Sequence, residues 1–436
     1  MNVRTLQDRA KGERDAPLTR NQVRGFWASW GGWTLDGMDS FIYALVLVPS
    51  LRELLPRSGI PATKGNIGYY GGLLFALFLI GWGLAFLWGP VGDKFGRVRT
   101  LMLTILWYST FTLLSAFAVN VWQLAILRLL AGIGIGGEWA MGGTFVAEEW
   151  PENRRIAGAG FMHTGYYFGF LLAALANYGI GSHFGWRAMF LFGGLPALLL
   201  AWIRYGVSEP ERWAQKEKMV HWAWWRPLAT LFNPTWRRRT ILNSLFMLVS
   251  ICGLWAGTVY VPTAVTALAE ASGRVGPQAA QLASYATMLV AVATILGCLA
   301  MPTLAERFGR RGTLAIFFAL MLVFIVLTFG KIYYLGANAL PWFFVCLFFL
   351  GLGGANFAVY TLWLPEQYPT ECRATAFAFS TSLARVIGAG ITFLVGAGVR
   401  HYGSVGTPVA LTGIAFAFGL LLTPLGEETR GRPLPL

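Results

Sequence analysis

Long apolar segments alternate with short charged ones along almost the whole chain. Twelve apolar segments can be drawn, and each has roughly the 20 residues that a helix needs to cross a bilayer. The pattern predicts an all-α membrane protein with twelve spanning helices. The predicted helices cover 26–51, 66–90, 100–118, 121–147, 156–180, 186–206, 240–268, 281–303, 313–333, 340–364, 374–399 and 406–425.

The longest charged connection divides the twelve segments into two sets of six. It is rich in tryptophan and ends in Arg237-Arg238-Arg239, a composition typical of a segment that lies along a membrane surface. The predicted domains are a tail at 1–25, a six-helix bundle at 26–206, a linker at 207–239, a second bundle at 240–425 and a tail at 426–436.

Composition supports the membrane assignment. The chain has 436 residues, of which 56% are hydrophobic and only 12% are charged, whereas soluble domains carry about 25% charged residues. The formal net charge is +14, but the basic residues are spread over alternate short connections. This is the positive-inside pattern and not a nucleic-acid-binding face. It places both termini in the cytoplasm and the chain in the plasma (inner) membrane.

The sequence gives no sign of enzyme chemistry. The four cysteines have no CxxC or Cys/His spacing, so neither a disulfide framework nor a metal site is predicted. No catalytic triad and no phosphate-binding glycine loop occurs. We therefore expect no enzymatic activity, no metal and no cofactor.

Two motifs recur half a chain apart. Gly89–Thr100 (GPVGDKFGRVRT) matches Pro302–Thr313 (PTLAERFGRRGT), and Glu148–Arg155 (EEWPENRR) matches Glu366–Arg373 (EQYPTECR). These matches indicate two parallel six-helix repeats, which place a binding site at their interface near the middle of the membrane.

The repeated motifs also place acids and arginines at helix ends on one side of the membrane. A carboxylate there can pair with arginines of the other half and close a gate. The candidate gating residues are Gly89, Asp93, Gly96, Arg97, Arg99, Glu148, Arg155, Glu306, Gly309, Arg310, Glu366 and Arg373.

Two aspartates stand inside the first apolar segment. Asp36 and Asp39 are three residues apart, so they share one helix face, and Tyr43 continues that face. A charge at bilayer depth costs roughly 3 kcal/mol or more, so these aspartates and Glu138 of the fourth segment are candidate proton-coupling groups. For either aspartate alone, the alternative is a structural partner for a buried arginine. Glu138 is also open to contact with a substrate.

Arg385 lies about halfway along the eleventh segment, which contains no acid. A buried arginine keeps its proton and needs an anion beside it, either Asp36, Asp39, Glu138 or the cargo itself. Because a guanidinium binds a carboxylate through two hydrogen bonds, Arg385 favours an organic anion as cargo over a purely structural pair. The candidate cargo-binding residues are Arg385, Asn356, Tyr360, Tyr166 and Tyr43.

The chain resembles the major facilitator superfamily along essentially its whole length. The resemblance rests on the two copies of the loop motif and on Arg128–Gly136 (RLLAGIGIG). In similar proton-coupled members, a fourth-helix arginine pairs with a first-helix aspartate. The resemblance therefore implies an Asp39–Arg128 pair and adds Arg128 to the proton-coupling candidates. Leu35–Asp39, Gly137–Trp139 and Arg385 together are similar to the aromatic-acid and sialate proton symporter branches.

This resemblance implies a secondary active transporter that works by alternating access. Its expected function is proton-coupled symport of an organic anion, such as an aromatic acid, a sialic acid or a short monocarboxylate. The expected partners are that small anion, H+ as the coupling ion and the lipid bilayer. No nucleic acid is expected, and the carrier is expected to be a monomer.

The main alternative is a proton-coupled sugar porter. Glu427–Arg432 (EETRGR) resembles the C-terminal signature of that family, but Glu427 stands where the family has proline. A sugar site needs many amide side chains to bind hydroxyl groups, and the segment 240–268 contains only Asn243. A drug–proton exchanger is a third interpretation, but an arginine fixed in mid-membrane suits a cationic cargo poorly.

Overall fold

A computed structural model describes residues 17–194, 206–210, 213, 225–253, 260–274 and 277–435. All regular secondary structure in these ranges is helical. The helices coincide with the twelve predicted apolar segments, except for the parts of the sixth and seventh segments that lie outside the described ranges. The all-α prediction is confirmed.

The helices of the two halves follow one another with short connections. The first half contains α1 (Arg20–Arg57), α2 (Lys64–Leu84), α3 (Trp88–Phe95), α4 (Arg97–Ser115), α5 (Val121–Glu149), α6 (Glu152–Ala176) and α7 (Ser182–Phe192). The rest contains α8 (Arg226–Thr230), α9 (Arg237–Gly253), α10 (Val261–Ala271), α11 (Pro277–Gly330), α12 (Ala339–Gly354), α13 (Asn356–Glu366), α14 (Arg373–Tyr402), α15 (Gly406–Leu411) and α16 (Gly413–Leu422). Within the described residues, six helical stretches are long and apolar enough to cross a membrane.

Helix α1 begins earlier than the hydrophobic pattern predicts. Thr19 Oγ1 accepts the backbone N–H of Gln22 at 3.2 Å, and the Gln22 side chain accepts the N–H of Thr19 at 2.9 Å. This capping box starts the helix at Arg20, so the predicted tail 1–25 ends inside a helix. The first sixteen residues of that tail, and most of the predicted linker 207–239, lie outside the described residues.

The two copies of the loop motif contain equivalent reversals of the chain. Gly96 has φ 107° between α3 and α4, and Gly309 has φ 74° in the middle of α11. Glycine adopts positive φ without the steric cost that a Cβ imposes. The kink at Gly309 divides α11 into the eighth and ninth predicted segments.

The helices pack in the same way in both halves. In the first half α1 packs on α6, and in the second half α9 packs on α14. Between the halves, α6 contacts α11, while α2 and α3 contact α14. Two seams therefore join the six-helix units predicted from the repeats.

The segment 426–435, predicted as a tail, crosses from one half to the other. Thr429 Oγ1 donates to Glu366 Oε2 at 2.6 Å in the second half, and the N–H of Leu434 donates to Glu152 Oε1 at 2.8 Å in the first half. This segment lies at the end of the bundle that carries the repeated motifs, which we call the ion-pair end.

Candidate functional site

A small cavity lies between the two halves. Its volume is about 20 Å³, which is room for roughly one water molecule. Apart from an isoleucine and an arginine, every lining side chain carries an aromatic ring. The lining residues are Trp33, Trp82, Trp139, His163, Tyr166, Tyr167, Ile251, Phe357 and Arg385.

Arg385 brings a positive charge to this aromatic cavity. Its guanidinium carbon lies 4.1 Å from the ring centroid of Trp82 and 5.6 Å from that of Trp139. Nη1 donates to the carbonyl of Thr381, one turn back, at 2.6 Å. The residue is only 3% exposed. Its Nε has no hydrogen-bond partner among the described residues, and no described carboxylate forms an ion pair with it.

Stacked rings form the wall of the cavity. Trp33 lies parallel to Trp139, with centroids 5.2 Å apart and an interplanar angle of 19°, and it stacks on Tyr166 at 4.7 Å and 27°. The rings of His163 and Phe357 are also parallel, 6.4 Å apart. Such faces suit a flat unsaturated ligand, because ring faces attract one another in offset stacks. Of these residues, only Tyr166 was predicted to contact the cargo.

Thr361 connects the halves beside the cavity. Trp139 Nε1 of the first half donates to Thr361 Oγ1 of the second half at 2.9 Å, and the same oxygen lies 3.4 Å from His163 Nδ1. Since the hydroxyl oxygen accepts the hydrogen bond from tryptophan, the hydroxyl hydrogen can be donated to the imidazole Nδ1. This arrangement fits an uncharged His163.

Asp39 and Arg128, which the family resemblance paired, lie together in the first half. Asp39 Oδ2 is 3.6 Å from Arg128 Nη1, and both side chains are fully buried. Arg128 Nη2 also donates to Ser115 Oγ at 2.8 Å and to Thr112 Oγ1 at 3.2 Å. The ring of Tyr43 lies 5.9 Å from the guanidinium. Tyr43, predicted to bind cargo, therefore belongs to this ion pair and does not line the cavity.

Asp36 and Glu138 form a second, wholly acidic pair. Asp36 of α1 and Glu138 of α5 are both 0% exposed, and neither carboxyl group has a hydrogen-bond partner among the described residues. Gly32 lets Glu138 approach α1, because a Cβ there would lie 1.5 Å from Glu138 Oε1. Gly32 lies one turn before Asp36, so two acids are buried side by side, and a single bound proton removes the repulsion between their charges. The pair is therefore a site where a proton can be held.

Asn356 and Tyr360 do not take the places that the sequence predicted. Asn356 Nδ2 donates to a backbone carbonyl of its own helix at 2.8 Å, and Tyr360 Oη donates to the carbonyl of Phe246 at 2.8 Å. Neither lines the cavity. From this helix, Phe357 lines the cavity, and Thr361, four residues later, forms the bridge to Trp139.

Glu148 joins the halves at the ion-pair end. Its carboxylate accepts Arg97 Nε of its own half at 3.0 Å and Arg373 Nη1 of the other half at 2.7 Å. All three side chains are fully buried. The contact agrees with the geometry expected of a gate.

Glu366 repeats this arrangement in the second half. It accepts Arg310 Nη2 of its own half at 2.7 Å and Arg155 Nη2 of the first half at 3.0 Å. The two networks are related by the internal repeat, as the matching motifs predicted.

Asp93 ties the loop motif of the first half to α14. Its carboxylate accepts the N–H of Thr375 at 2.9 Å, the hydroxyl of Thr375 at 2.5 Å and the N–H of Ala374 at 3.3 Å. It also lies 3.1 Å from Arg97. A carboxylate at this position caps the helix and complements its dipole. Gly89 allows the close approach, since a Cβ there would lie 2.5 Å from Thr375 Cα.

Glu306 and Arg99, both predicted gating residues, make no such contact. Glu306 is exposed and forms no ion pair within the described residues. The helix start where it would mirror Asp93 already carries Glu152, which pairs with Arg155 at 3.0 Å, so a second carboxylate would meet a like charge. Arg99 is also exposed and contributes only its backbone N–H.

Two further glutamates support the ion-pair end and were missed by the sequence analysis. Glu209 accepts two backbone N–H groups at the start of α4, at 3.1 and 3.0 Å. Glu428 accepts those of Arg310 and Arg311, at 3.0 and 3.3 Å. Each acid caps the helical segment that follows a positive-φ glycine. A glutamate shortly after each set of six segments was the available signal.

These two glutamates differ in their titration. Burial raises the pKa of Glu209 above its usual range, although the backbone N–H groups oppose it. Burial also acts on Glu428, but the N–H groups of Arg310, Arg430 and Arg311 outweigh it and hold the pKa of Glu428 below its usual range.

Family models match both parts of the chain. A model described as Major Facilitator Superfamily matches residues 34–302, and a model described as sugar (and other) transporter matches residues 214–435.

Two relatives align with nearly the whole chain. A protein of Cupriavidus pinatubonensis named "Probable 4-methylmuconolactone transporter" is 30% identical over 419 residues, which cover 94% of this chain and 91% of that protein. The niacin transporter NiaP of Acinetobacter baylyi is 27% identical over 452 residues, which cover 96% of this chain and 97% of that protein.

A solved structure has the same fold. The proton:xylose symporter XylE bound to 6-bromo-6-deoxy-D-glucose superposes with a TM-score of 0.77 at 19% identity, over 95% of this chain and 98% of that one. At this identity the likeness concerns the fold alone.

Proposed function

Since the chain belongs to the Major Facilitator Superfamily of transporters, we propose that it carries a small organic anion across the membrane in symport with a proton. Membership of this family confirms the predicted transporter of two six-helix repeats and the prediction that the chain is not an enzyme. The class of cargo, the coupling ion and the orientation of the chain in the membrane are proposals.

The main support for the proposal is that Arg385 is buried with no described carboxylate in contact. Its guanidinium is buried and keeps its charge, yet its contacts are two tryptophan rings and one backbone carbonyl. An uncompensated buried charge is costly. A cargo carboxylate would supply a counter-charge in direct contact, through two parallel hydrogen bonds.

The aromatic lining narrows the cargo to a flat, unsaturated acid. Trp33, Trp139 and Tyr166 offer parallel ring faces next to the guanidinium. The two relatives described above are named for 4-methylmuconolactone and niacin, both small ring compounds. A sugar is less well served, because the described lining contains no amide side chain.

Three buried carboxyl groups are available for proton coupling. Asp36, Asp39 and Glu138 are each 0% exposed, and one of them must gain or lose a proton when the cargo charge enters or leaves the site. We propose the proton as the coupling ion and propose no cofactor besides it.

We place the ion-pair end at the cytoplasm, where it acts as the inner gate. Basic residues are concentrated in the connections at this end, as the positive-inside rule requires. Both termini would then be cytoplasmic, in a monomer of the plasma (inner) membrane. Rocking of the two halves would break the pairs of Glu148 and Glu366 and expose the cavity to the cytoplasm.

Binding measurements with matched ligands test the cargo. Purified protein is titrated with benzoate and benzamide, with nicotinate and nicotinamide, and with xylose, by calorimetry and thermal shift. We expect a carboxylate to bind and its neutral amide to bind far more weakly. Arg385→Gln should weaken carboxylate binding roughly 10- to 100-fold, the value of a charge-assisted hydrogen bond.

A second arginine variant is the control for the binding measurements. Arg274→Gln, a substitution of an exposed arginine that does not line the cavity, should leave binding unchanged. Equal affinity of Arg385→Gln for acid and amide, at the unmodified protein's affinity for the acid, would contradict the anion proposal. Stabilisation by xylose alone would favour the sugar porter.

A further inference from the structure

The charged groups buried in the middle of the described helices do not balance. They comprise three carboxyl groups and two guanidinium groups, all at most 3% exposed. If every group were ionised, one negative charge would remain uncompensated in an apolar interior, at a large cost. One bound proton removes that charge. The groups are Asp36, Asp39, Glu138, Arg128 and Arg385.

Asp39 is the acid least suited to release and take up this proton. It forms an ion pair with Arg128 at 3.6 Å, and the hydrogen bonds of Arg128 go to the neutral hydroxyls of Thr112 and Ser115. Protonation of Asp39 would leave the Arg128 guanidinium buried without a counter-charge. This pair is therefore most stable with both charges kept.

Asp36 and Glu138 have no cation in contact. Glu138 Oε1 lies against α1, 1.5 Å from where a Cβ on Gly32 would stand, and Gly32 is one turn before Asp36. The other titratable or charged groups around them come from five helices. They are Asp39 and Tyr43 on α1, Tyr108 on α4, Arg128 on α5, His163 and Tyr166 on α6, and Arg385 on α14. None of the described residues places a cation in hydrogen-bonding contact with the pair.

Building on the proposed function, we infer that Asp36 and Glu138, and not Asp39, carry the transported proton, and that one proton accompanies each monocarboxylate. In the unloaded carrier the pair holds one proton, and its remaining negative charge balances Arg385. A cargo carboxylate takes over the charge of Arg385, so the pair needs a second proton to stay neutral. Loaded and unloaded carriers then differ by one proton and one monoanion. Transport moves no net charge.

Transport in sealed proteoliposomes tests this inference. The purified full chain is reconstituted, and uptake of labelled nicotinate or benzoate is followed, according to which one binds. Three conditions are compared: a pH gradient with the acidic side outside, a potassium diffusion potential set with valinomycin, and exchange against unlabelled acid. We expect the pH gradient to drive accumulation and a potential of either sign to leave the initial rate unchanged.

Variants assign the proton. Glu138→Gln and Asp36→Asn should lose accumulation driven by the pH gradient but keep exchange, which also shows that they are folded. Asp39→Asn leaves Arg128 without its counter-charge and should lower the amount of active protein, so its readout is the ratio of gradient-driven uptake to exchange. That ratio should stay at the value of the unmodified protein.

Three different results would contradict different parts of the inference. A rate that responds to the potential would overturn the charge count. Accumulation that persists in Glu138→Gln and is lost in Asp39→Asn would overturn the residue assignment. If the unmodified protein transports the acid without any response to a pH gradient, the proposed proton symport fails, and this inference fails with it.

Discussion

The ion pair between Arg155 and Glu366 offers a direct test of the gate. Arg155 Nη2 lies 3.0 Å from Glu366 Oε1 across the seam, with side chains 4% and 2% exposed. In Arg155→Gln this contact loses its charge, while Glu366 keeps Arg310 at 2.7 Å. The carboxylate stays paired, so the substitution weakens the closure of the halves without leaving a buried acid alone.

The size of the effect follows from the geometry. A hydrogen bond to a charged group contributes about 1.5–3 kcal/mol. This one exists only while the ion-pair end is closed, so its loss raises the free energy of the closed state and leaves the open state unaffected. A tenfold change in an equilibrium corresponds to about 1.4 kcal/mol. The fraction of open carriers should therefore rise roughly 10- to 100-fold.

A native cysteine can report the opening. Cys298 is fully buried, and its backbone carbonyl lies at the seam, 2.8 Å from where a Cβ on Gly160 would stand. A variant that keeps only this cysteine, with alanine at the other three, is labelled by a membrane-impermeant maleimide in inside-out vesicles. Arg155→Gln should accelerate labelling by the factor above. Arg154→Gln, which removes a neighbouring charge with no ion pair among the described residues, is the matched control, and equal rates in the two would refute the gate.

Two further predictions concern Gly32 and the paired glutamate caps. Gly32→Ala should displace Glu138 and reduce gradient-driven uptake in proteoliposomes. Gly390→Ala, where a Cβ meets nothing within 4 Å, should leave uptake unchanged. Equal uptake by the two variants would contradict the close approach of Glu138 to Gly32. At neutral pH, Glu428→Gln should lower the melting temperature more than Glu209→Gln, because the pKa of Glu428 is lowered and that of Glu209 is raised. The stability that the Glu428 carboxylate contributes is present above its unfolded-state pKa and is lost as the pH falls through its lower folded-state pKa. The effect of Glu428→Gln should therefore fade below about pH 4, and an unchanged effect there would argue against the cap.

The architecture and the buried charges were predictable from sequence. A spanning helix needs about 20 apolar residues and leaves its charges in the connections, so the segments and the repeat could be drawn directly. An ionisable residue in such a segment stands out against an apolar background. Asp36, Asp39, Glu138, Arg128 and Arg385 were found in this way, and the structure places all five in the interior.

The lining of the cavity was not predictable in the same way. In a helix of a soluble protein, polar residues mark the side that faces solvent, so the opposite side can be identified as buried. The lipid-facing side of a membrane helix is as apolar as the side that faces the protein interior, so this signal is missing. Trp33 lines the cavity and is 2% exposed, whereas Trp27 of the same helix is 46% exposed. Nothing in the apolar pattern separates the two.

Local breaks of symmetry were also hidden from the sequence. Glu306 occupies the same place in its motif as Asp93, yet the helix start opposite it carries the acid Glu152. Phe357, and not its neighbour Asn356, lines the cavity. Neither difference can be read from the motifs, because it depends on which segments far apart in sequence pack together.

Around the cavity, the described side chains of the two halves pack against each other and leave about 20 Å³. The ring of Trp82 and the carbonyl of Thr381 give Arg385 substitute contacts in this closed packing. An obligatory exchanger must be unable to shut until a counter-substrate enters. A carrier whose walls fit each other can make the return crossing alone, as the proposed symport requires for net accumulation.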